Sequence, residues 1–165
     1  VLCFSESPNL CFCKDIQIST DTVQDILTAA IIFQLVEVQE ACLEFLKQRL
    51  HPVNCLTVLR LAERLQNDDL LEVSLLFAAQ HFSQLEHNED FLMLDSNLFT
   101  RLISSQEFNG LEDDRLKSIV SWAKHDATGR LNVASKLCCY VQTPRLSKDY
   151  LQHLSQAKDE WETSP

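Results

Sequence analysis

Paired α-helices are the fold class this sequence predicts: an all-α stack of antiparallel helical hairpins, resembling a bundle, with at most one short strand near its start. Three observations predict it. Turn-forming residues are scarce, with 2 Gly and 4 Pro in 165 residues, whereas strand-and-turn architectures consume Gly at positive-φ turns and Pro at sheet corners. Apolar residues recur three and four apart from Thr22 onward, the spacing of a helix with one buried face. The breaks between these runs are short, and short connections pair successive helices as hairpins. With 45% hydrophobic and 23% charged residues, the chain has the make-up of a folded domain.

Residues 1–14 show no period and are read as an unassigned tail. Asp15 to Ser19 alternates polar and apolar, which is the one strand signal. From Thr22 the spacing turns helical, with Val23, Ile26, Leu27, Ala30, Ile31 and Leu35 on one face and Thr20 or Asp21 as N-cap. A second helix carries Val38, Cys42, Leu43, Phe45, Leu46 and Leu50 and ends at His51-Pro52, because the residue before Pro avoids the helical region. Pro52 suits the first turn of a third helix, whose buried face is Leu56, Leu59, Leu61, Ala62 and Leu65. Asn67-Asp68-Asp69 breaks that run and caps a fourth, with Leu70, Leu71, Val73, Leu75, Leu76, Ala79 and Phe82 as its apolar set.

A short element follows at Phe91 to Leu94, and Asp95 caps a helix from Ser96 to Ile103. Asn109 or Gly110 opens a longer helix to about Lys124, whose first turn holds Glu112, Asp113 and Asp114 where they complement the helix dipole. Leu131 to Val141 reads as another helix, and Ser147 caps a last one ending near Leu154. Residues 156–165 are polar and are expected to fray. No period of 34 or about 40 residues aligns, so a repeat array is the second reading.

Composition excludes several functions. The net charge of −10 repels phosphate backbones and anionic lipid, so neither nucleic acid nor a membrane surface is an expected partner. No apolar run approaches the roughly 20 residues of a spanning helix, and Val1 to Phe4 lacks the basic start and apolar core of a signal peptide. The 7 cysteines are odd in number, which argues against a closed disulfide framework. Cys42, Cys55, Cys138 and Cys139 sit in apolar helical patterns, where a reduced thiol serves as a small core residue. The expected location is therefore the cytoplasm, with the nucleus also open.

Chemistry-bearing motifs are weak. Cys11-x-Cys13 with Cys3 nearby lacks the matching second pair of a structural zinc site, and no Gly-rich phosphate loop exists. Cysteines and histidines occur without a local nucleophile signature. No metal, no cofactor and no catalytic residue is expected.

With the helices laid out, residues 15 to 155 resemble the BTB-BACK-kelch (kelch-like) adaptor family. Ile16-Gln17-Ile18, Thr22 to Leu27, Gln34-Leu35, Val38, Ala41-Cys42 and Phe45-Leu46 are similar to the last strand and last two helices of a BTB domain, giving a BTB remnant at 15–50. Pro52-Val53-Asn54-Cys55-Leu56 followed by Ala62 looks like the opening of a BACK domain, placed at 51–155. Trp122 to Asp126 with Arg130 is similar to the W-x-x-x-D-x-x-x-R signature of BACK. The family's V-R-x-P-L-L appears as Val141-Gln142-Thr143-Pro144-Arg145-Leu146, keeping Val141, Pro144 and Leu146. The BTB dimerisation helix, central sheet and main cullin-contact helix, and the kelch propeller, have no counterpart in these residues.

The resemblance implies a non-catalytic scaffold within a cullin-3 RING E3 ubiquitin ligase substrate receptor, holding a cullin-binding end and a substrate-binding end at a set geometry. It implies cullin-3's N-terminal region as partner, with a helix pair, the 3-box, at roughly 52–82 extending that contact. Asn54, Thr57, Arg60, Glu63 and Arg64 are the polar edge of that pair and the candidate partner-binding residues. Trp122 and Asp126 are four apart and share a face, so with Arg130 they are expected to form a structural helix-end lock, Asp126 either accepting from Arg130 or capping the next helix. The stripe Val23, Ile26, Leu27 and Ile31, lacking its sheet, would be exposed and favour self-association. Two rivals stand beside the scaffold: a free-standing helical-repeat binding module, and a Cys-dependent enzyme.

Overall fold

The computed structural model of the chain describes residues 17–85 and 89–152. The predicted tails at 1–14 and 156–165, the end of the last helix, and Cys3, Cys11 and Cys13 lie outside the described residues. The described residues are helical and contain no strand; of the predicted strand, Gln17 to Ser19 have no regular structure and Asp15 and Ile16 lie outside. The chain divides into two compact units, Val1–Leu50 and His51–Pro165.

In the first unit, α1 (Val23–Ile32) and α2 (Val36–Gln48) pack as a hairpin. The N-cap position of α1 is Thr22, not Thr20 or Asp21, because the Ser19 carbonyl already accepts from the amides of Thr22 and Val23 (3.3 and 2.9 Å). The connection turns through Gln34 at φ 56°, which lets the Leu35 amide reach back to the Ala30 carbonyl (2.8 Å). That is the helix-ending turn usually given to Gly. Gln39 of α2 donates to the same carbonyl (2.9 Å) and ties the two helices together.

The apolar face of α1 differs from expectation. Val23 and Leu27 are each only 2% exposed, and Ile26 is half-buried. The bare residues are Ile31, Ile32, Phe33 and Val36, between 40% and 72% exposed, because the last turn of α1 and the connection carry them beyond the helix–helix contact. A shallow apolar hollow of about 270 Å³ lies beside them, lined by Ile26, Ala29, Ala30, Phe33, Leu35 and Val38.

The second unit contains α3 (Cys55–Arg64), α4 (Asp68–Gln80), α5 (Ser96–Ser104), α6 (Glu112–His125) and α7 (Ala127–Leu137). Two 3-10 turns, Phe82–Gln84 and Glu89–Met93, lie between α4 and α5, and a further one, Cys138–Tyr140, follows α7 directly. Pro52 precedes α3 instead of occupying its first turn. The His51 carbonyl accepts from the amides of Asn54 and Cys55 (both 2.9 Å), and Asn54 Oδ1 accepts from the His51 amide (2.8 Å), so a closed turn holds Pro52 and the helix starts at Cys55.

α4 also rotates away from its predicted face. Ser74 and Ala78 are fully buried, while Val73 and Leu76 are exposed. α4 packs against both α3 and α5, and small residues allow two neighbours to approach at once. The Ser74 hydroxyl avoids an unmet polar burial by donating to the Leu70 carbonyl (2.7 Å).

Three further expectations shift. α6 starts at Glu112 with Leu111 at its N-cap position, and Asn109 instead binds the end of α4, its amide to the Ala79 carbonyl (2.9 Å) and Nδ2 to the Gln80 carbonyl (3.1 Å). Gly110 is required there because a Cβ would come within 2.9 Å of the Phe108 ring. α7 begins four residues earlier than predicted, at Ala127, because Asp126 caps it. Its end tightens into a 3-10 turn that leaves Cys138 and Cys139 exposed, whereas Cys42 and Cys55 are buried as expected.

The core of this unit is an aromatic ladder. Phe108 packs on Phe82 (4.3 Å), Phe82 on Phe91 (5.7 Å), Phe91 on Phe99 (5.2 Å) and Phe99 flat on Trp122 (4.3 Å). Each such pair adds about 0.5–1.5 kcal/mol beyond area burial. A guanidinium closes each end: Arg115 lies 4.0 Å from the Phe108 ring and Arg130 lies 4.5 Å from that of Trp122.

Candidate interaction surface

Two groups of residues carry the functional reading, the polar edge of α3 and the lock at the α6–α7 junction. α3 buries Cys55, Leu56, Val58, Leu59, Leu61 and Ala62, so its remaining positions form the edge. Thr57 donates to Asp90 Oδ2 (3.0 Å) and Arg60 stands 3.9 Å from Asp90 Oδ1. The structure therefore gathers Thr57 and Arg60 around one carboxylate, that of Asp90 in the 3-10 turn Glu89–Met93. Separation by 33 residues left no periodic signal for it.

Glu63 is drawn toward the start of α5. Burial, then the charge of Asp95 and a hydrogen bond shared with it, push its carboxyl above the usual range, while Asn97 and Arg101 oppose the shift. Arg101 itself pairs with Glu72 of α4. Asn54 closes the turn before α3, and Arg64 is exposed, as is Val53 at 75%. The five edge residues thus separate into those engaged within the unit and an outward-facing remainder at Arg64.

At the α6–α7 junction, Trp122 is fully buried and its Nε1 donates to the Leu94 carbonyl (2.9 Å). Arg130 donates to the carbonyls of Leu92 (2.8 Å) and Trp122 (3.1 Å). Asp126 accepts from the Gly129 amide (3.4 Å) as the cap of α7. Of the two roles open to Asp126, the geometry takes capping, and Arg130 spends its donors on backbone. Two chain segments, Leu92–Leu94 and the α6 end, are pinned together, which periodicity alone does not reveal.

Three of the described thiols run against the character of an activated nucleophile. Burial pushes the Cys42 thiol up and that of Cys55 up to about 11, and at the largely exposed Cys138 partial desolvation of the sulfur and the neighbouring Cys139 thiol act in the same direction, the opposite of what thiolate chemistry requires. Among the described residues, no cluster of three or more His, Cys, Asp or Glu side chains converges as a metal site, and no helix is long and apolar enough to cross a membrane.

The second unit is thus a stacked helical module with a buried Trp, a capping Asp and an Arg-pinned junction. The chain matches the BACK family, BTB And C-terminal Kelch, over residues 55–156, and it belongs to that family. It is 36% identical over 142 residues to Kelch-like protein 3 of Danio rerio and 33% identical over 141 residues to Kelch-like protein 3 of Mus musculus. Kelch-like protein 2 of Homo sapiens is 33% identical over 141 residues. Each alignment covers 85% of this chain and 24% of the relative, so the chain spans about a quarter of the length of these relatives.

Proposed function

We propose that this chain is a non-catalytic scaffold segment of a kelch-like adaptor for a cullin-3 ubiquitin ligase, acting in the cytoplasm or nucleus. The observation that carries the reading is the arginine-closed ladder from Phe108 to Trp122, a packed rod suited to transmitting position without a reactive group. Family membership supports the adaptor setting. On this reading the α3 edge, Arg64 above all, faces cullin-3's N-terminal region, and Asn54, Thr57, Arg60 and Glu63 shape that edge.

The bare apolar end of the α1–α2 hairpin, Ile31, Ile32, Phe33 and Val36, supports a second contact, either with the rest of a BTB domain or with a second copy. Exposed apolar patches of this kind ordinarily mark interaction sites.

The test is a binding titration of the cullin-3 N-terminal region against this chain and against a longer chain that includes an upstream BTB domain. The reading expects tight binding by the longer chain, weakened about tenfold by Arg64→Glu, as for one good interface residue worth more than 1 kcal/mol. Binding of the longer chain that is indifferent to every substitution on the α3 edge would remove the edge from the interface. No binding by either chain would remove cullin-3.

A further inference from the structure

Beyond α7 the chain loses regular helix. It runs through two 3-10 turns, Cys138–Tyr140 and Thr143–Arg145, and becomes helical again at residue 148. Its own backbone bonds there are those of isolated turns, Val141 to the Cys138 carbonyl, Arg145 to that of Gln142 and Leu146 to that of Thr143. Val141 and Leu146 are buried, but most of the segment is exposed. A stretch so short of internal bonds can leave a bundle in many directions unless something outside it decides.

The first turn of α6 supplies that something. Glu112 Oε2 accepts from the Gln142 amide (3.0 Å) and Asp113 Oδ1 from the Ser147 amide (2.9 Å). Arg115 donates to the Tyr140 carbonyl (3.0 Å) and sits 3.3 Å from Glu112. One turn further, Lys117 stands 5.4 Å from the Tyr150 ring. Glu112 and Arg115 are 8% and 9% exposed, and burying a charged pair seldom raises stability over an apolar pair of the same size. Arg115 also rests on Phe108, which joins this contact to the aromatic ladder.

We propose that Glu112, Asp113 and Arg115 form a clasp that fixes the direction in which the chain leaves the helical stack. They are positioning residues: α6 reads the backbone of residues 140–147 and sets its path. The use of that path to orient a distant partner rests on the scaffold reading, but the clasp does not. The acidic turn of α6 thus acts on the outgoing chain as well as on its own helix dipole.

Amide hydrogen exchange by NMR on the full chain tests it without any partner. Asp113→Ala is expected to speed exchange at Ser147 about tenfold, the loss of one hydrogen bond, and to spread to residues 142–150, with Leu70 and Leu102 amides unchanged. Asp113→Asn, which keeps an acceptor oxygen, is expected to restore most of the protection. Glu112→Ala should accelerate Gln142 in the same local manner, and Glu112→Gln, which keeps an acceptor oxygen, should restore most of the protection. Unchanged exchange at both amides would overturn the clasp. So would uniform acceleration throughout the chain, since the residues would then serve only general stability. A failed cullin-3 titration leaves this readout untouched, and the two proposals can fall separately.

Discussion

The α1–α2 and α3–α4 hairpins are built on the same turn and end in opposite surfaces. Each turns through a glutamine in the left-handed region, Gln34 at φ 56° and Gln66 at φ 52°. In each, the next amide reaches back five residues, Leu35 to Ala30 (2.8 Å) and Asn67 to Ala62 (3.0 Å). Yet Asn67 caps its second helix through the Leu70 amide (2.8 Å), while Leu35 offers no side-chain cap. α3 also buries six of its side chains, whereas the end of α1 presents Ile31, Ile32 and Phe33 to solvent. A shared backbone solution therefore does not imply a shared surface: one hairpin completes a core, and the other leaves an apolar end exposed.

The largest expected effect tests that contrast directly. Leu59→Ala, at a fully buried position of α3, should cost about 2–5 kcal/mol in denaturant unfolding through lost burial and a cavity. Ile32→Ala, at a position 70% exposed, should change stability by less than about 0.5 kcal/mol. A large loss at Ile32 would show that its surface is already covered. Next in size are the caps. Asn67→Ala should lower stability by about 1 kcal/mol, and Asp126→Ala, whose bond to Gly129 is longer at 3.4 Å, by somewhat less; thermal melts decide.

Smaller still is the turn itself. Gln34→Gly and Gln66→Gly should each raise stability by about 0.5–1 kcal/mol, relieving a left-handed side chain against a gain in unfolded-chain entropy. Unequal responses would mean that the two turns are not equivalent.

The smallest effect concerns Glu63. A carboxyl whose folded pKa is raised contributes its stability below the ordinary Glu range and loses it as pH rises through the folded value. Glu63→Gln should therefore melt above the parent chain at pH 7, by less than about 0.5 kcal/mol given its partial exposure, and converge with it near pH 4. A difference that grows toward acid would reverse the sign assigned to Asp95's influence.

The helices themselves were legible because their signals are local. Asp95 and Asn67 cap where short polar side chains precede apolar periods, and hairpin pairing follows from connection length. Faces that depend on two neighbours were not legible: Val73 and Leu76 fit the apolar period of α4, but Ser74 and Ala78 won the buried side because small residues suit a helix packed on both flanks. Pro52 was misplaced because it sits in the turn that His51 and Asn54 close before α3, and Asn109 because it binds the end of α4. The lock residues could be found by spacing, whereas their carbonyl partners on Leu94 and Leu92, 28 and 38 residues away in sequence, could not. Asp90 was missed for the same reason.

The scaffold proposal requires that the described residues of the second unit, 51–85 and 89–152, behave as one stiff body whose aromatic ladder transmits position. Backbone order parameters from NMR relaxation test it most directly. The account predicts values near 0.85, typical of rigid backbone, through α3 to α7, including the α6–α7 junction at Asp126. Values below about 0.6 at that junction, with rigid helices on either side, would describe a hinge and contradict it.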